Sequence, residues 1–391
     1  FRQFIPMQSS TMRHLTLYSL SLLLLIYAQF SCSSGSDRFE SIEEMPQFIL
    51  TDSLVVDYLG ALTILDIKAD RSEYLMYDPQ RKEFLRVNKH GDIILSKNLS
   101  ADGKDSFGAY FYSAHYYDDD KLLIFPYSGG VCTYDFQFNL LSKETPFNIF
   151  TNALGSGIAT LLVDNKLFAN KYPEKASGDL YAHEDYLARH PFLTTYDLDK
   201  KKVIAEQYLP KESQIIQHPG KYSEPAPHSI MMEDELYLLF SNSPEIYKYS
   251  FPELKLLGKV ALNPSDKYVQ VKPFPVEALG NGVFNKLAGS EYFHFSSSNG
   301  YLLTGYLGAA PQDKVDALPQ DLLGGEDFMA LVKEYKIPYY QIRKGGKILW
   351  EGQNDTRFKF KGGHLFADRN IIQPIVEEEK DHVVYYFYEI G

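Results

Sequence analysis

Apolar and polar positions alternate with a period of two along most of the chain, in pairs of short runs separated by turn residues. Such pairs read as β-hairpins, because successive side chains of a strand point to opposite faces and a few Gly, Asp, Asn or Lys residues reverse the chain. Five pairs share one rhythm, at 84–95, 131–141, 193–204, 246–256 and 339–349. With Val87, Tyr134, Tyr196, Tyr249 and Ile342 taken as equivalent, the spacings are 47, 62, 53 and 93 residues. A hairpin repeat near 50 residues is the period of a β-propeller blade, four antiparallel strands running outward from a central channel.

Two further strands precede each hairpin; in the second unit they fall at 112–115 and 122–126, joined by the turn Asp118, Asp119 and Asp120. The last unit, 363–390, supplies three strands, and its fourth is expected from 47–52, which closes the ring and leaves no free edge. The pattern therefore predicts an all-β fold, a β-propeller of six blades, with room for a seventh in the 93-residue interval. Two helical insertions interrupt it. One is 173–191, with a helix at 179–189. The other is 309–338, where Phe328, Leu331, Val332 and Tyr335 fall at i, i+3, i+4 and i+7 on one helix face. Glu326 and Asp327 suit that helix's start, Lys333 and Lys336 its end, and Pro338 stops it. Both insertions lie between the second and third strands of a blade, so both should roof one mouth of the channel.

The N-terminus follows a different pattern. Arg13 and His14 precede an apolar run at 15–30, then Ser31 and Cys32, the parts of an export signal. Its apolar run is too short to span a bilayer, which needs about 20 residues. The chain opens on Phe1, and Met12 is the expected true start, with residues 1–11 an artefact of the gene model. Gln29, Phe30, Ser31 and Cys32 resemble a relaxed bacterial lipobox, with Gln29 where Leu or Val is usual. The resemblance implies that Cys32 receives a diacylglyceryl group and becomes the new N-terminus. Residues 33–36, Ser-Ser-Gly-Ser, then form a flexible tether. The expected organisation is a signal peptide at 1–31, lipidated cysteine and tether at 32–46, and the propeller at 47–391.

Charge and composition narrow the function. The net charge is −12, and removal of residues 1–31 takes two arginines and no acidic residue, giving −14. Nucleic acid is thereby excluded as a partner, since phosphate binding needs a concentrated basic surface. Once Cys32 is acylated only Cys132 remains, so no internal disulfide can form; its Val-Cys-Thr-Tyr surroundings mark it as a small core residue. Thirty Tyr and 26 Phe against one Trp favour strands.

Catalytic signatures are lacking: there is no Gly-x-Ser-x-Gly elbow, His-Glu-x-x-His, phosphate loop or paired-cysteine metal site. Asp197 and Asp199 resemble part of a calcium loop without the Gly and distal Glu that complete it, and also suit a plain hairpin turn. His183, His190, His218 and His228 fall in segments directed to the roofed face, where they could ligate zinc or shuttle protons, or simply be loop histidines. Tyr172, Tyr181, Tyr186 and Tyr222 share that face, either as a stacking platform for a sugar or peptide or as packing beneath the inserts. His294 should lie on an innermost strand, facing the channel or satisfied within the structure. No cofactor or metal is expected.

The signal, the blade rhythm and the Gly/Asp-punctuated segment 98–108 together resemble a family of uncharacterised lipoproteins of Gram-negative gut bacteria that carry a propeller-like domain of unknown function. That resemblance transfers no catalytic or ligand residue. The expected function is a non-enzymatic binding or scaffolding role through one propeller face, toward a peptide, glycan or envelope protein. The alternative is a propeller hydrolase or lyase with its site in the channel, assembled from several blades and leaving no linear motif. Ser33, where an Asp resembles an inner-membrane retention signal, points to an outer-membrane lipid anchor. Asp37, Glu40, Glu43 and Glu44 resemble a surface-export signal, with the periplasmic side as the alternative.

Overall fold

Among the described residues the alternating segments form twenty-four strands that pair as six four-stranded antiparallel sheets. The structure, a computed structural model, describes residues 46–391 apart from 101, 128, 146–159, 172–184, 221, 223–226, 275–281, 320–323, 354–357, 362–369 and 375–380, with backbone only at 358–361 and 370–374. The expectations for residues 1–45, Cys32 included, lie outside the described residues.

The first sheet is β2 (Thr63–Ile67), β3 (Glu73–Asp78), β4 (Glu83–Asn88) and β5 (Ile93–Asn98). The second is β6 (Phe111–Tyr117), β7 (Lys121–Pro126), β8 (Val131–Asp135) and β9 (Leu140–Glu144). The third is β10 (Leu161–Val163), β11 (Lys166–Asn170), β12 (Leu193–Asp197) and β13 (Lys202–Gln207). The fourth is β14 (Pro227–Met232), β15 (Glu235–Phe240), β16 (Glu245–Ser250) and β17 (Leu256–Ala261). The fifth is β18 (Tyr292–Ser298), β19 (Tyr301–Leu307), β20 (Pro338–Lys344) and β21 (Lys347–Gln353). The sixth runs β22 (Phe358–Lys361), β23 (Asn370–Pro374), β24 (Val383–Ile390) and, outermost, β1 (Phe48–Val56) from the other end of the domain.

Burial explains why some strands read as continuous apolar runs and others as alternation. In β7 and β12 nearly every residue is buried, because a sheet covers each face, whereas the outer strands β5, β13 and β17 are largely exposed. Six apolar clusters are each shared by two neighbouring sheets. Leu75 and Phe84 pack with Leu122 and Tyr134, Leu123 with Leu167 and Tyr196, and Phe168 and Leu193 with Leu236 and Tyr247. The series continues with Ile230 and Leu239 on Tyr292 and Phe295, then Leu303 and Ile342 on Ile390, and ends with Tyr385 and Leu54 on Tyr74 and Met76 of the first sheet. The cycle returns to its start, which defines a β-propeller. Cys132 lies in one of these clusters, fully buried.

The strand expected at 47–52 is β1, and it pairs with β24 from Phe48↔Ile390 to Val56↔Val383 with a bulge between Leu50 and Asp52. The register corrects one equivalence. Each third strand carries a bulge just before Val87, Tyr134, Tyr196 or Tyr249, but in the fifth sheet it falls between Ile342 and Arg343. Arg343, not Ile342, is thus the equivalent residue.

Helices also differ from expectation. Among the described residues there are five: α1 (Tyr186–Arg189), α2 (Gln214–Gln217), α3 (Gly282–Ala288), α4 (Gln312–Asp316) and α5 (Glu326–Tyr335). They occupy four connections rather than two, since α2 and α3 lie in sheet-to-sheet segments. α1 covers only the end of the helix expected at 179–189, whose residues 179–184 lie outside the described residues. α5 matches the periodicity: Phe328, Leu331, Val332 and Tyr335 pack on Phe284, Leu287 and Val315. Lys336 ends it, its Nζ donating to the carbonyls of Lys286 and Gly289 at 2.7 Å each. Because strands alternate direction, second-to-third and sheet-to-sheet connections emerge on one face, so all five helices share it. Among the described residues the 93-residue interval is filled by β17, α3 to α5 and the first two strands of the fifth sheet, without a further sheet.

Candidate functional site

The innermost strands are β2, β6, β10, β14, β18 and β22, and polar side chains link neighbours among them. On β2, Asp66 lies 3.8 Å from Nδ1 of His115 on β6 and accepts from the backbone N–H groups of Tyr116 at 2.7 Å and Ile67 at 2.8 Å. Burial outweighs those bonds and pushes the Asp66 carboxyl up to about 7. Ser113 of β6 shares a 2.8 Å hydrogen bond with Thr160, just before β10. His228 of β14 places Nε2 3.2 Å from the carbonyl of Tyr292 on β18. His294 of β18 lies 3.0 Å from Ser296 Oγ; burial, and secondarily the charge of His228, push it down to about 3. These groups form neighbour-to-neighbour links, and among the described residues no three His, Cys, Asp or Glu side chains gather as a metal would require. His294, neutral at ordinary pH, serves as a structural hydrogen-bonding group.

The other residues singled out from the sequence disperse. Tyr172, Tyr181 and His183 lie outside the described residues. Tyr186 and Tyr222 are only 4% and 7% exposed and pack into the cluster between the third and fourth sheets, so neither presents a ring for stacking. The hydroxyl of Tyr222 donates to the carbonyl of His218 at 2.7 Å, which ties the segment after α2 to that helix. His190 Nε2 is 3.2 Å from the carbonyl of Lys171, and the His218 side chain is exposed. Asp197 is ion-paired with Lys166 at 3.0 Å and Lys200 at 3.4 Å, and Asp199 accepts from Tyr117 at 2.6 Å, so the Asp197–Asp199 turn is held by side chains of its own hairpins and the second sheet.

Beside them, and lined by none of them, lies a cleft that the sequence did not reveal. About 970 Å³ of space lies between the rims of the third and fourth sheets. Ala188 and Arg189 of α1, the segment Gln207–Lys211 after β13, and Ile216 and Gln217 of α2 bound it on the side of the helical face. Tyr249 of β16, Leu254 and Lys255 of the hairpin turn, and Leu256 at the start of β17 bound it on the other. The local reasons are plain. Ser213 caps α2, its Oγ accepting from Ile216 N–H at 3.3 Å, and Gln217 Nε2 donates to the Lys211 carbonyl at 2.7 Å, which fixes the 208–211 segment against the helix. Beneath, Ile215, Tyr186 and Leu187 are buried against Tyr247 and Tyr249. The lining comes from five separated segments, and no linear pattern could have announced it. A second cavity of about 740 Å³, on the opposite mouth, is lined by Asp66 and turn aspartates of the first three sheets, including Asp70, Asp118 and Asp199. Ser72, Lys121 and Tyr117 respectively hold those three turn aspartates.

No protein family matches the chain, and no curated protein is similar to it in sequence. Solved structures are similar in fold. A member of the DUF4221 family from Bacteroides vulgatus superposes with a TM-score of 0.57 at 9% identity, over 88% of this chain and 98% of its own. A Bacteroides fragilis protein described as exported superposes with a TM-score of 0.52 at 12% identity, over 90% of this chain and 96% of its own. At such identities the likeness concerns the fold, and it extends across nearly the whole of both neighbours.

Proposed function

We propose that the chain is a non-enzymatic binding or scaffolding protein of the cell envelope, a six-bladed propeller that receives its ligand at the rim of the helical face. One observation carries the reading: the 970 Å³ cleft is walled on one side by helices and connections of that face, the part of a propeller free to vary while the sheets hold the frame. Its volume lies at the upper end of small-molecule sites, roughly 300–1,000 Å³. The fold it shares with an exported Bacteroides protein supports a role outside the cytoplasm. The anchor is the lipid on Cys32 and the membrane is the outer one, a part of the proposal that rests on the sequence of the signal.

Residues 37–391, screened against envelope glycans and used as bait for envelope proteins, should capture a ligand or partner. Ala188 is exposed on the cleft wall, so Ala188→Trp should fill the cleft and abolish capture without disturbing the core. Clean negatives in both screens overturn the proposal. For the anchor, Cys32→Ala should release the protein or leave an unprocessed precursor, and recovery of the native protein with inner-membrane fractions on a sucrose gradient overturns the outer-membrane assignment.

A further inference from the structure

The composition of the cleft points to a ligand class, and the inference rests on the cleft being the ligand site just proposed. We infer that it takes an anionic amphiphile, a carboxylate or phosphate head on an apolar body. Among its described lining residues three are cationic, Arg189, Lys211 and Lys255, and none is acidic, in a chain with 51 acidic residues against 39 Lys and Arg. A described lining whose charged side chains are all cationic is, in so acidic a chain, a local reversal of sign, and it would draw anions past a repelling surface. Arg189 holds Asp185 at 2.7 Å on the rim, but among the described residues neither the Lys211 nor the Lys255 ammonium has a carboxylate partner.

The apolar half is as well defined. Leu209 and Leu254 are buried in the floor, while Tyr208 and Leu256 stand 53% and 43% exposed at the lip, where an acyl or aryl body would cover them. Tyr249 closes the cleft from below. It is 2% exposed, belongs to the lining, and its hydroxyl has no hydrogen-bond partner among the described residues. Burial holds that phenol protonated, and Glu212, which bears on it electrostatically, lies outside the described lining.

The test is calorimetric titration of residues 37–391 with dodecanoate, dodecyl phosphate, dodecyl maltoside, dodecyltrimethylammonium and acetate, each below its micellar concentration. Dodecanoate or dodecyl phosphate should bind, the stronger of the two identifying the head group. The maltoside should bind at least about tenfold more weakly, and the cationic amphiphile and acetate should give no signal. Lys211→Glu with Lys255→Glu should weaken anion binding by about tenfold or more while leaving the folded protein's melting curve in place, since both side chains are exposed. Neutral or cationic amphiphiles binding as tightly as the anions, or anion binding that survives charge reversal, overturns the ligand class and leaves the cleft as a site. Anion binding that survives Ala188→Trp overturns its placement in this cleft. No binding by any probe overturns the inference, whereas the glycan and partner screens judge the wider reading separately.

Discussion

At the scale of single residues, burial acts with opposite sign on an imidazole and a carboxyl. His294 is pushed down to about 3 from 6.5, so between those values the unfolded chain binds the extra proton. Stability is then lost as pH falls below about 6.5, by up to about 1.4 kcal/mol per pH unit. His294→Gln retains a hydrogen-bonding group beside Ser296 but cannot titrate, and should flatten that part of the loss in melting temperatures measured from pH 7 to 4. Parallel curves for the two proteins would show that His294 is not held neutral by burial. Asp66, pushed up to about 7 from 3.8, does the reverse: the folded state binds more protons between those values, and that contribution is lost progressively as pH rises from about 4 through 7. Asp66→Asn should therefore be more stable than the native protein at pH 8, by about 1–3 kcal/mol, with the advantage shrinking as pH falls and vanishing below about pH 4. An advantage independent of pH would assign it to packing. The histidine was legible as an inner-strand residue, whereas Asp66 was not, because its neighbour His115 sits on another sheet 49 positions away and no strand periodicity records that contact.

At the scale of elements, the sequence was most legible where burial imposes a period. The hairpins, the closing strand and α5 each bury a repeating face, and each was readable. α1, α2 and α4 are four or five residues long, less than two helical turns, and offer no period to detect. The fifth hairpin misled by one residue because Arg343 occupies a place that is Val or Tyr in the other four. Its guanidinium is buried, donating to the carbonyls of Leu262 and Gly346 at 2.8 Å each, so a core position looks polar. The cleft was illegible for another reason: its residues come together only through the packing of two sheets. Turns, too, answer to their neighbours. Gly91, in the β4–β5 turn, has φ +90°, and a Cβ there would stand 1.8 Å from the Val55 carbonyl of the closing strand. Gly258, in β17, has open space around the corresponding position and an ordinary φ. Gly91→Ala should thus cost at least about 2 kcal/mol in denaturant titration, and Gly258→Ala should be neutral or stabilise by up to about 1 kcal/mol. Equal effects would mean that the turn does not press on the closing strand.

At the scale of the whole molecule, β1 decides whether six sheets make a ring or an open array. Its side chains contribute unevenly: Ile49, Leu50 and Val55 are about half exposed, while Leu54 and Val56 are buried among Val383, Tyr385 and Phe387 and against Tyr74 and Met76 of the first sheet. Its backbone contributes throughout, with the ladder to β24 extended by reciprocal Gln47 and Gly391 hydrogen bonds at 3.0 Å. β1 therefore joins the two ends of the domain and also seals the seam between the sixth and first sheets. Removing it would uncover β24, whose sequence Val-Val-Tyr-Tyr-Phe-Tyr-Glu-Ile is an aromatic, β-prone edge of the kind that pairs with other chains. Deleting residues 33–44 from a soluble form lacking the signal and Cys32 should leave the melting temperature nearly unchanged. Deleting 33–53 should lower it sharply or cause aggregation, because most of the ladder goes. Leu54→Ala separates the seam from the ladder: it keeps the backbone pairing and should cost about 2–4 kcal/mol through the cavity alone. If both truncations melted together while Leu54→Ala remained costly, the seam would be what holds the ring and the ladder would be dispensable. If all three matched the native protein, closure through β1 would be wrong, and the sheets would have to be held by their six shared clusters without a terminal clasp.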